Sequence, residues 1–526
     1  MKGRPLISKS GADPFQIASL RGRLDDLLLG FRSFALDKGV EVHAALLDIK
    51  GDLINVAGPN PLHYPAFEAC VKAAKKYIQL KHGETIITND PYSGNTRLCD
   101  LMLIQGAYGK SQANELRYYV AVQITFEGLL NKDLSKIFTS VEDEGYRIPP
   151  SLLDDGSRIN SEIVKYLCQK GMNADQITSA LEVGRETLRK VGHGLIALEQ
   201  SLGREKISKN LEELKKYSEA MMRRALHEIP DGEYSAHDVL ENDGVDKLPV
   251  RIQCQLTVHG ENILLSFSGS TKQVKGPFNC NHTQTLGACF WFLRSLVKAD
   301  IPINAGAFKA FSIEAPDGTV VNAKYPAPLL GGYYETSKRI VDTLCLVLNK
   351  ALPSHFPAQN GGSSNIALFL FESSAGTKFL VDTLGCGTGA SKYFNGRDCV
   401  HGELHNTPAR SVEALETEFP LQVTHSGIRE SSGGDGKLNG GNGLTRGYRF
   451  LEPIRVMMLS DRKNTKARGL YGGVSGLNGE SMLVRHADKK KIQNEKWLSD
   501  VDKGDTLIIN TPGGGGWGKK EEPEKE

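Results

Sequence analysis

The stretch from Thr85 to Asp100 constrains this chain more than any other. Thr85-Ile86-Ile87-Thr88 is a short β-branched run of the kind that forms a buried strand. Asn89, Asp90, Pro91, Ser93, Gly94 and Asn95 follow, all turn formers. The chain then re-enters an apolar run at Leu101–Ile104. Two acids, Asp90 and Asp100, therefore sit at the mouths of two strands joined by a polar loop. That placement suits metal binding or acid–base chemistry. The same residues also suit a local role, Asp90 as an Asx-turn former and Asp100 as a turn cap.

Around this stretch the hydrophobic periodicity predicts an α+β fold, strand-rich in its second half. Apolar residues spaced three and four apart from Phe15 to Phe34 predict an amphipathic helix that starts after Asp13-Pro14 and ends at Gly39. Val40–Ile49 and Leu53–Val56 flank Lys50-Gly51-Asp52 as a hairpin. Pro65–Leu80 reads as a helix, Leu101–Ala107 and Leu116–Thr125 as strands. Ile177–Leu202 and Leu211–His227 are long helical patterns, expected to form an antiparallel pair. Strands are expected at Tyr234–Leu240, Val250–Val258 and Ile263–Phe267, then a helix at Thr283–Val297. Another helix opens at Gly331-Gly332, with Glu335 in its first turn. The last third is glycine-punctuated strand; the chain has 56 glycines, which implies tight turns or close backbone approaches.

Several function classes are disfavoured. Basic and acidic residues number 64 and 62, so there is no general electrostatic footprint for nucleic acid. Nine cysteines are scattered without a Cys-x-x-Cys pair, as expected of reduced, mostly buried thiols. No secretory pattern opens the chain, and no apolar run approaches the roughly 20 residues that span a bilayer, so the expectation is a soluble cytoplasmic protein. Gly434-Asp435-Gly436-Lys437 lacks the spacing of a phosphate loop, and Gly513–Gly516 has no helix after it. Both are read as turns. No Gly-x-Ser-x-Gly nucleophile elbow occurs. His401, Glu403 and His405, with Asn406 beside them, would share one face of a strand and could hold a metal. A solvated polar face is the commoner outcome of that pattern.

The central stretch resembles the signature of the hydantoinase B/oxoprolinase family, Asn-Asp-Pro-Tyr-x-Gly-Gly-Thr-His-Leu-Pro-Asp. Asn89, Asp90, Pro91, Tyr92, Gly94, Thr96, Leu98 and Asp100 match, whereas Asn95, Arg97 and Cys99 depart from it. Glu144-Gly145-Tyr146-Arg147-Ile148-Pro149-Pro150 is similar to a second family motif, and Phe267–Asn279 to a third. The glycine-rich segments of the last third have counterparts in the same order. The resemblance implies a hydantoinase B-like unit over residues 1–520, with an N-terminal α/β part (1–160), a helical part (161–229), a strand-rich part (230–520) and a charged 521–526 tail.

The activity implied is that of a B-type subunit of an ATP-dependent cyclic-amide hydrolase acting on a hydantoin, 5-oxoproline or a lactam. A separate A-type subunit uses ATP to phosphorylate the amide oxygen, and the B-type subunit opens the activated ring in a heteromeric complex. Relatives hold a divalent metal with the histidine and aspartate of the signature and a later His-His segment. Here those histidines are replaced by Arg97 and by Thr125 and Phe126, and only Asp100 remains. Arginine has no lone pair to ligate a metal. It can pair with Asp100 or Asp90 instead, or bind an anionic substrate group. The implied site is Asp90 and Asp100 as the acidic pair, one a general base, Asn95 and Arg97 on the activated oxygen or its phosphate, and Glu335 and Thr336 lining the cleft. Two alternatives stand beside this reading: a non-catalytic paralogue kept as a structural or regulatory subunit, and a ketone-carboxylase subunit.

Overall fold

A computed structural model describes residues 14–37, 42–109, 115–126, 129–130, 133–169, 174–373, 376–405, 407, 409–487, 491–493 and 496–520. Gly39 and Val40, Glu127 and Gly128, Asn406 and the 521–526 tail lie outside them.

The N-terminal part is built on one antiparallel sheet. Helix α1 (Pro14–Asp37) precedes the hairpin β1 (Val42–Asp48) and β2 (Leu53–Ala57), then α2 (Tyr64–Tyr77), β3 (Thr85–Thr88), β4 (Asp100–Tyr108), β5 (Leu116–Thr125), the short α3 (Val141–Glu144) and β6 (Ser151–Asp154). The strands form a six-stranded sheet in the order β2-β1-β5-β4-β3-β6. Successive side chains on a strand point to opposite faces, so β4 and β5 read as unbroken apolar runs only if both faces are covered. They are. Leu101, Leu103, Val120 and Val122 pack under α1 and the long helix α5 (Ala174–Leu202, after α4, Ser161–Gln169), whereas Met102, Ile104, Tyr119 and Ala121 join the larger core with Phe67 of α2.

The two long helices do not form the antiparallel pair expected. Gly203, left-handed at φ 85°, joins α5 directly to α6 (Arg204–Leu226). The apolar stripe of α5 (Leu181, Leu188, Val191, Leu195) is already committed to the sheet. Helix α6 turns instead onto α1 and a later short helix at Ala305–Phe308.

From Gly232 the chain builds an antiparallel run β7 (Gly232–Leu240), β8 (Val250–His259) and β9 (Asn262–Ser266). Next come α7 (His282–Ser295), the short α8 (Ala305–Phe308) and β10 (Ser312–Glu314), which pairs in parallel with β9. A π-helical turn, Gly332–Thr336, runs straight into α9 (Ser337–Ala351), which lies across β7 and β8. The remaining strands, β11 (Ala367–Ser373) and β12 (Gly376–Asp382), then, after α10 (Val412–Glu418), β13 (Leu421–Arg429), β14 (Gly443–Phe450), β15 (Ile454–Met458), β16 (Glu480–Val484), β17 (Lys491–Gln493), β18 (Trp497–Val501) and β19 (Thr506–Asn510), make two further sheets. These share a core of Phe369, Phe371 and Val456 against Tyr448, Phe450, Leu507 and Ile509.

Gly513–Gly516, expected to be a turn, is a buried thread instead. Gly434 N–H donates to Gly514 O (2.8 Å), Gly514 N–H to Gly441 O (2.9 Å) and Gly515 N–H to Gln359 O (2.8 Å). A Cβ on Gly514 would lie 2.0 Å from Thr388 O, so close backbone approach is what demands glycine there. All nine cysteines are free thiols. Among the described residues no helix is long and apolar enough to cross a membrane.

Candidate active site

The β3–β4 loop is buried, and its cover is not the glycine-rich C-terminal strands but α7 and the π-turn. Asn281, at the start of α7, donates through Nδ2 to Pro91 O (2.8 Å) and Asn95 O (2.7 Å), and Gln284 Nε2 donates to Thr96 O (2.8 Å). Asp90 caps the turn that follows it, Oδ1 accepting from Tyr92 N–H (3.0 Å) and Oδ2 from Ser93 Oγ (2.7 Å) and Arg147 Nη1 (3.3 Å). The loop ends on Gly94 at φ 103°, in the left-handed region that glycine adopts without strain.

Asp100 is fully buried, and every acceptor position on it is taken. Arg97 grips it bidentately, Nε to Oδ2 and Nη2 to Oδ1 at 2.8 Å each. Thr125 Oγ1 donates to Oδ1 (2.7 Å) and Thr96 Oγ1 to Oδ2 (3.1 Å). A carboxylate has about four lone-pair positions, so none is left for water or a metal. Burial alone would raise this carboxyl, but Arg97, then His63 and the hydroxyls, hold it far below the ordinary carboxylate range. The third nitrogen of Arg97, Nη1, reaches Tyr334 Oη (3.0 Å), and its guanidinium lies 4.1 Å from the Tyr333 ring centre. Thr96 spends its proton on Asp100, so its oxygen accepts from His63 Nδ1–H (2.7 Å), and His63 Nε2 accepts from Tyr333 O–H (2.9 Å). Burial, with Arg97, lowers His63 to about 4 against the pull of Asp100.

The expectation that Asp90 or Asp100 is a free general base does not match this geometry, because both are consumed by the loop and its cations. Asn95 is likewise engaged, donating to Asp100 O (2.7 Å) and accepting from Gln123 Nε2 (3.0 Å), and Arg97 commits all three of its nitrogens to Asp100 and Tyr334. Thr336 donates to Phe278 O (2.6 Å). The family's metal set does not fit these residues. A guanidinium stands where an imidazole would, Thr125 serves Asp100 as a donor, and among the described residues no group of three or more His, Cys, Asp or Glu side chains is arranged to hold a metal ion. His401–His405 is irregular rather than strand, with Leu404 at φ 61°, and His405 Nε2–H donates to Tyr333 O (2.7 Å) while stacking on the Tyr333 ring.

Glu335 differs from every other residue expected in the site. Its Oε1 accepts from Ser363 Oγ (3.0 Å) and Ser364 N–H (2.9 Å), but Oε2, fully buried, has no hydrogen-bond partner among the described residues. Lys338 Nζ and Lys463 Nζ, also buried, have none among them either. Burial raises Glu335 to about 7, helped by Asp461 and opposed by Lys338, and lowers Lys463 to about 8. Beside them an ion-pair network locks the frame: Asp342 Oδ2 meets Arg339 Nη1 (2.8 Å) and Arg462 Nη2 (3.0 Å), and Asp461 Oδ2 meets Lys496 Nζ (2.7 Å). The sequence assigned no role to His63, Tyr333, Tyr334, Lys338 or Lys463.

The scaffold that carries this site is a known one. Its fold matches the crystal structure of an ATP-dependent caprolactamase from Pseudomonas jessenii with a TM-score of 0.85, over 97% of this chain and 92% of that one, at 21% identity. The chain belongs to the hydantoinase B/oxoprolinase family, whose sequence profile matches residues 32–520. It is 29% identical over 487 residues to an uncharacterised protein of Methanocaldococcus jannaschii, covering 91% of this chain and 84% of that protein. It is 27% identical over 490 residues to the 5-oxoprolinase of Dictyostelium discoideum, covering 92% of this chain but only 38% of that much longer one.

Proposed function

We propose that the chain is the ring-opening part of an ATP-dependent cyclic-amide hydrolase, taking an amide whose oxygen a separate ATP-using A-type part has phosphorylated. In that reading water adds to the activated carbon, the ring nitrogen leaves carrying a proton to give an acyl phosphate, and a second water cleaves that acyl phosphate to carboxylate and inorganic phosphate. Phosphorylation supplies a leaving group that a lactam otherwise lacks, and the chain supplies proton transfer and charge. The observation that supports this is Glu335: a buried carboxyl with an oxygen in want of a partner, titrating near neutrality, beside two buried amines equally uncommitted. Glu335 takes the proton from the attacking water, and Lys338 and Lys463 answer the charge that builds up. Arg97 and Asp100 form a rigid wall in this scheme and do no chemistry, and no step here runs through a metal.

The test is a coupled assay with the A-type partner, ATP and a panel of five- to seven-membered cyclic amides. Ring-opened product should form with the native chain and be lost in Glu335→Gln while ATP consumption by the partner continues. Undiminished ring opening in Glu335→Gln would remove the carboxyl from the reaction. The saturation of Asp100 by Arg97 favours one other reading, a paralogue that keeps the fold and its partner without chemistry. It predicts no ring opening by the native chain with any member of the panel.

A further inference from the structure

A cavity of about 280 Å³ lies between α7, α9 and the 355–360 segment, at the small end of ligand pockets, which run ~300–1,000 Å³. Trp291, Phe292, Leu296 and Phe356 give it apolar walls, and His355, exposed, stands at the mouth. The polar groups gather at the inner end. Most of these are spoken for. Asp342 is held by Arg339 and Arg462. Gln359 donates to Asp238 (2.9 Å) and accepts from Arg468 N–H (3.0 Å), and Asn360 Oδ1 accepts from Gly389 N–H (2.7 Å). Glu403 differs from these. It is 6% exposed, its carboxyl is met by its own backbone N–H, and among the described residues no cation lies within ion-pair distance of it.

We propose that this cavity binds a small cyclic amide by its polar edge, with the Glu403 carboxyl pairing to the N–H and C=O of the ring. The inference rests on the reading above and names the pocket that receives the ring. Burial, and then Asp342, raises Glu403 well above an ordinary glutamate, so it keeps its proton further up the pH scale. A neutral carboxyl carries one donor and one acceptor side by side. A lactam is forced into the cis form, so its N–H and C=O also lie side by side, and the two edges close a ring of two hydrogen bonds. An open-chain amide is trans and presents those groups on opposite sides. The apolar walls take the methylenes of the ring. Lys338 acts electrostatically on both Glu403 and Glu335, which ties this cavity to the group proposed to move the proton.

The experiment needs neither ATP nor partner. ε-Caprolactam and N-methylcaprolactam are titrated into the intact chain, followed by ligand-observed NMR and calorimetry. Caprolactam should bind saturably, the N-methyl compound at least tenfold more weakly for want of its donor, and caprolactam itself more weakly as pH rises from 6 to 8.5 and Glu403 ionises. Glu403→Gln, whose amide also offers a donor beside an acceptor, should keep binding and lose the pH dependence, and Glu403→Leu should lose binding tenfold or more. Equal affinity for the two lactams, pH-independent binding by the native chain, or no saturable binding at millimolar concentration would overturn the proposal. Because the first arm uses only the native chain, misfolding of a variant cannot mask the outcome. Binding without coupled turnover would overturn the ring-opening function and leave this pocket standing; full turnover in Glu403→Leu would do the reverse.

Discussion

Asp100 and Glu335 are both fully buried carboxyl groups, and the protein treats them in opposite ways. Asp100 has a guanidinium, two hydroxyls and a nearby imidazole, and each lone pair is matched. Glu335 has two donors on one oxygen and none on the other, with amines in its surroundings that are themselves unmatched. Buried polar groups are almost always satisfied, so the satisfied acid is ordinary architecture and the unsatisfied one calls for a reason. The comparison separates what holds the loop from what is left over for chemistry. In this chain the signature loop is the holding part.

The sharpest way to break that division is to take the guanidinium away. Arg97→Met strands a carboxylate in the interior and is expected to cost about 3–5 kcal/mol in urea denaturation. The loss should shrink as pH falls, because a protonated Asp100 no longer needs its partner. A small, pH-independent loss would mean that Asp100 is solvated and that the wall reading is wrong.

Next in size is the pH dependence of stability, where the two acids have opposite signs. The folded value of Asp100 is lowered, so its contribution is present above the unfolded value near 3.8 and vanishes as pH falls through the folded one. The folded value of Glu335 is raised from 4.5 to about 7, so its contribution is present below 4.5 and is lost as pH climbs to about 7. The second effect amounts to about 3 kcal/mol. Glu144, raised to about 8 by burial, slopes the same way. Buried histidines such as His63 and His401, held below their unfolded value, slope the other way, so the measure is the difference: between pH 4.5 and 7.5 the native chain should lose stability relative to Glu335→Gln. An unchanged slope in the variant would place the Glu335 carboxyl in contact with water.

The loop was legible in the sequence because its signals are local. Thr85–Thr88 and Leu116–Thr125 are strands with those bounds, and Asp90 caps its turn as an Asx former does. The replacement of the family histidine by Arg97 was also readable, and the pairing of Arg97 with Asp100 was one of the outcomes it allowed. The cluster around Glu335 was not legible. Its members come from positions 335–338, 363–364, 401–405 and 461–463, and no sequence pattern announces that these meet. A π-turn has no spacing rule either, so Gly332–Thr336 passed as the first turn of an ordinary helix. The glycine thread was misread for a related reason: a glycine kept for close approach looks the same in sequence as one kept for a turn. The pairing of α5 with α6 failed because helical periodicity shows that an apolar stripe exists, not which surface takes it.

Smaller substitutions sharpen the same contrast. Thr125→Val keeps shape and removes one charge-assisted donor from Asp100, so a loss of about 1.5–3 kcal/mol is expected, with ring opening unaffected in the coupled assay. Lost activity at full stability would bring Asp100 back into the chemistry.

The finest test lies within a single turn. Thr336 and Glu335 are adjacent and both fully buried, and both stood as equal candidates for the cleft. The Thr336 hydroxyl is spent on Phe278 O, a bond that ties the π-turn to the segment before α7. Thr336→Val should therefore cost about 1 kcal/mol of stability and leave ring opening near its native rate. Glu335→Gln should do the converse, with little change in stability near pH 5, where both side chains are neutral, and ring opening reduced by roughly 10²–10⁴-fold. If the two variants lose activity alike, the π-turn acts as a unit in the reaction and the free oxygen of Glu335 is not what sets it apart.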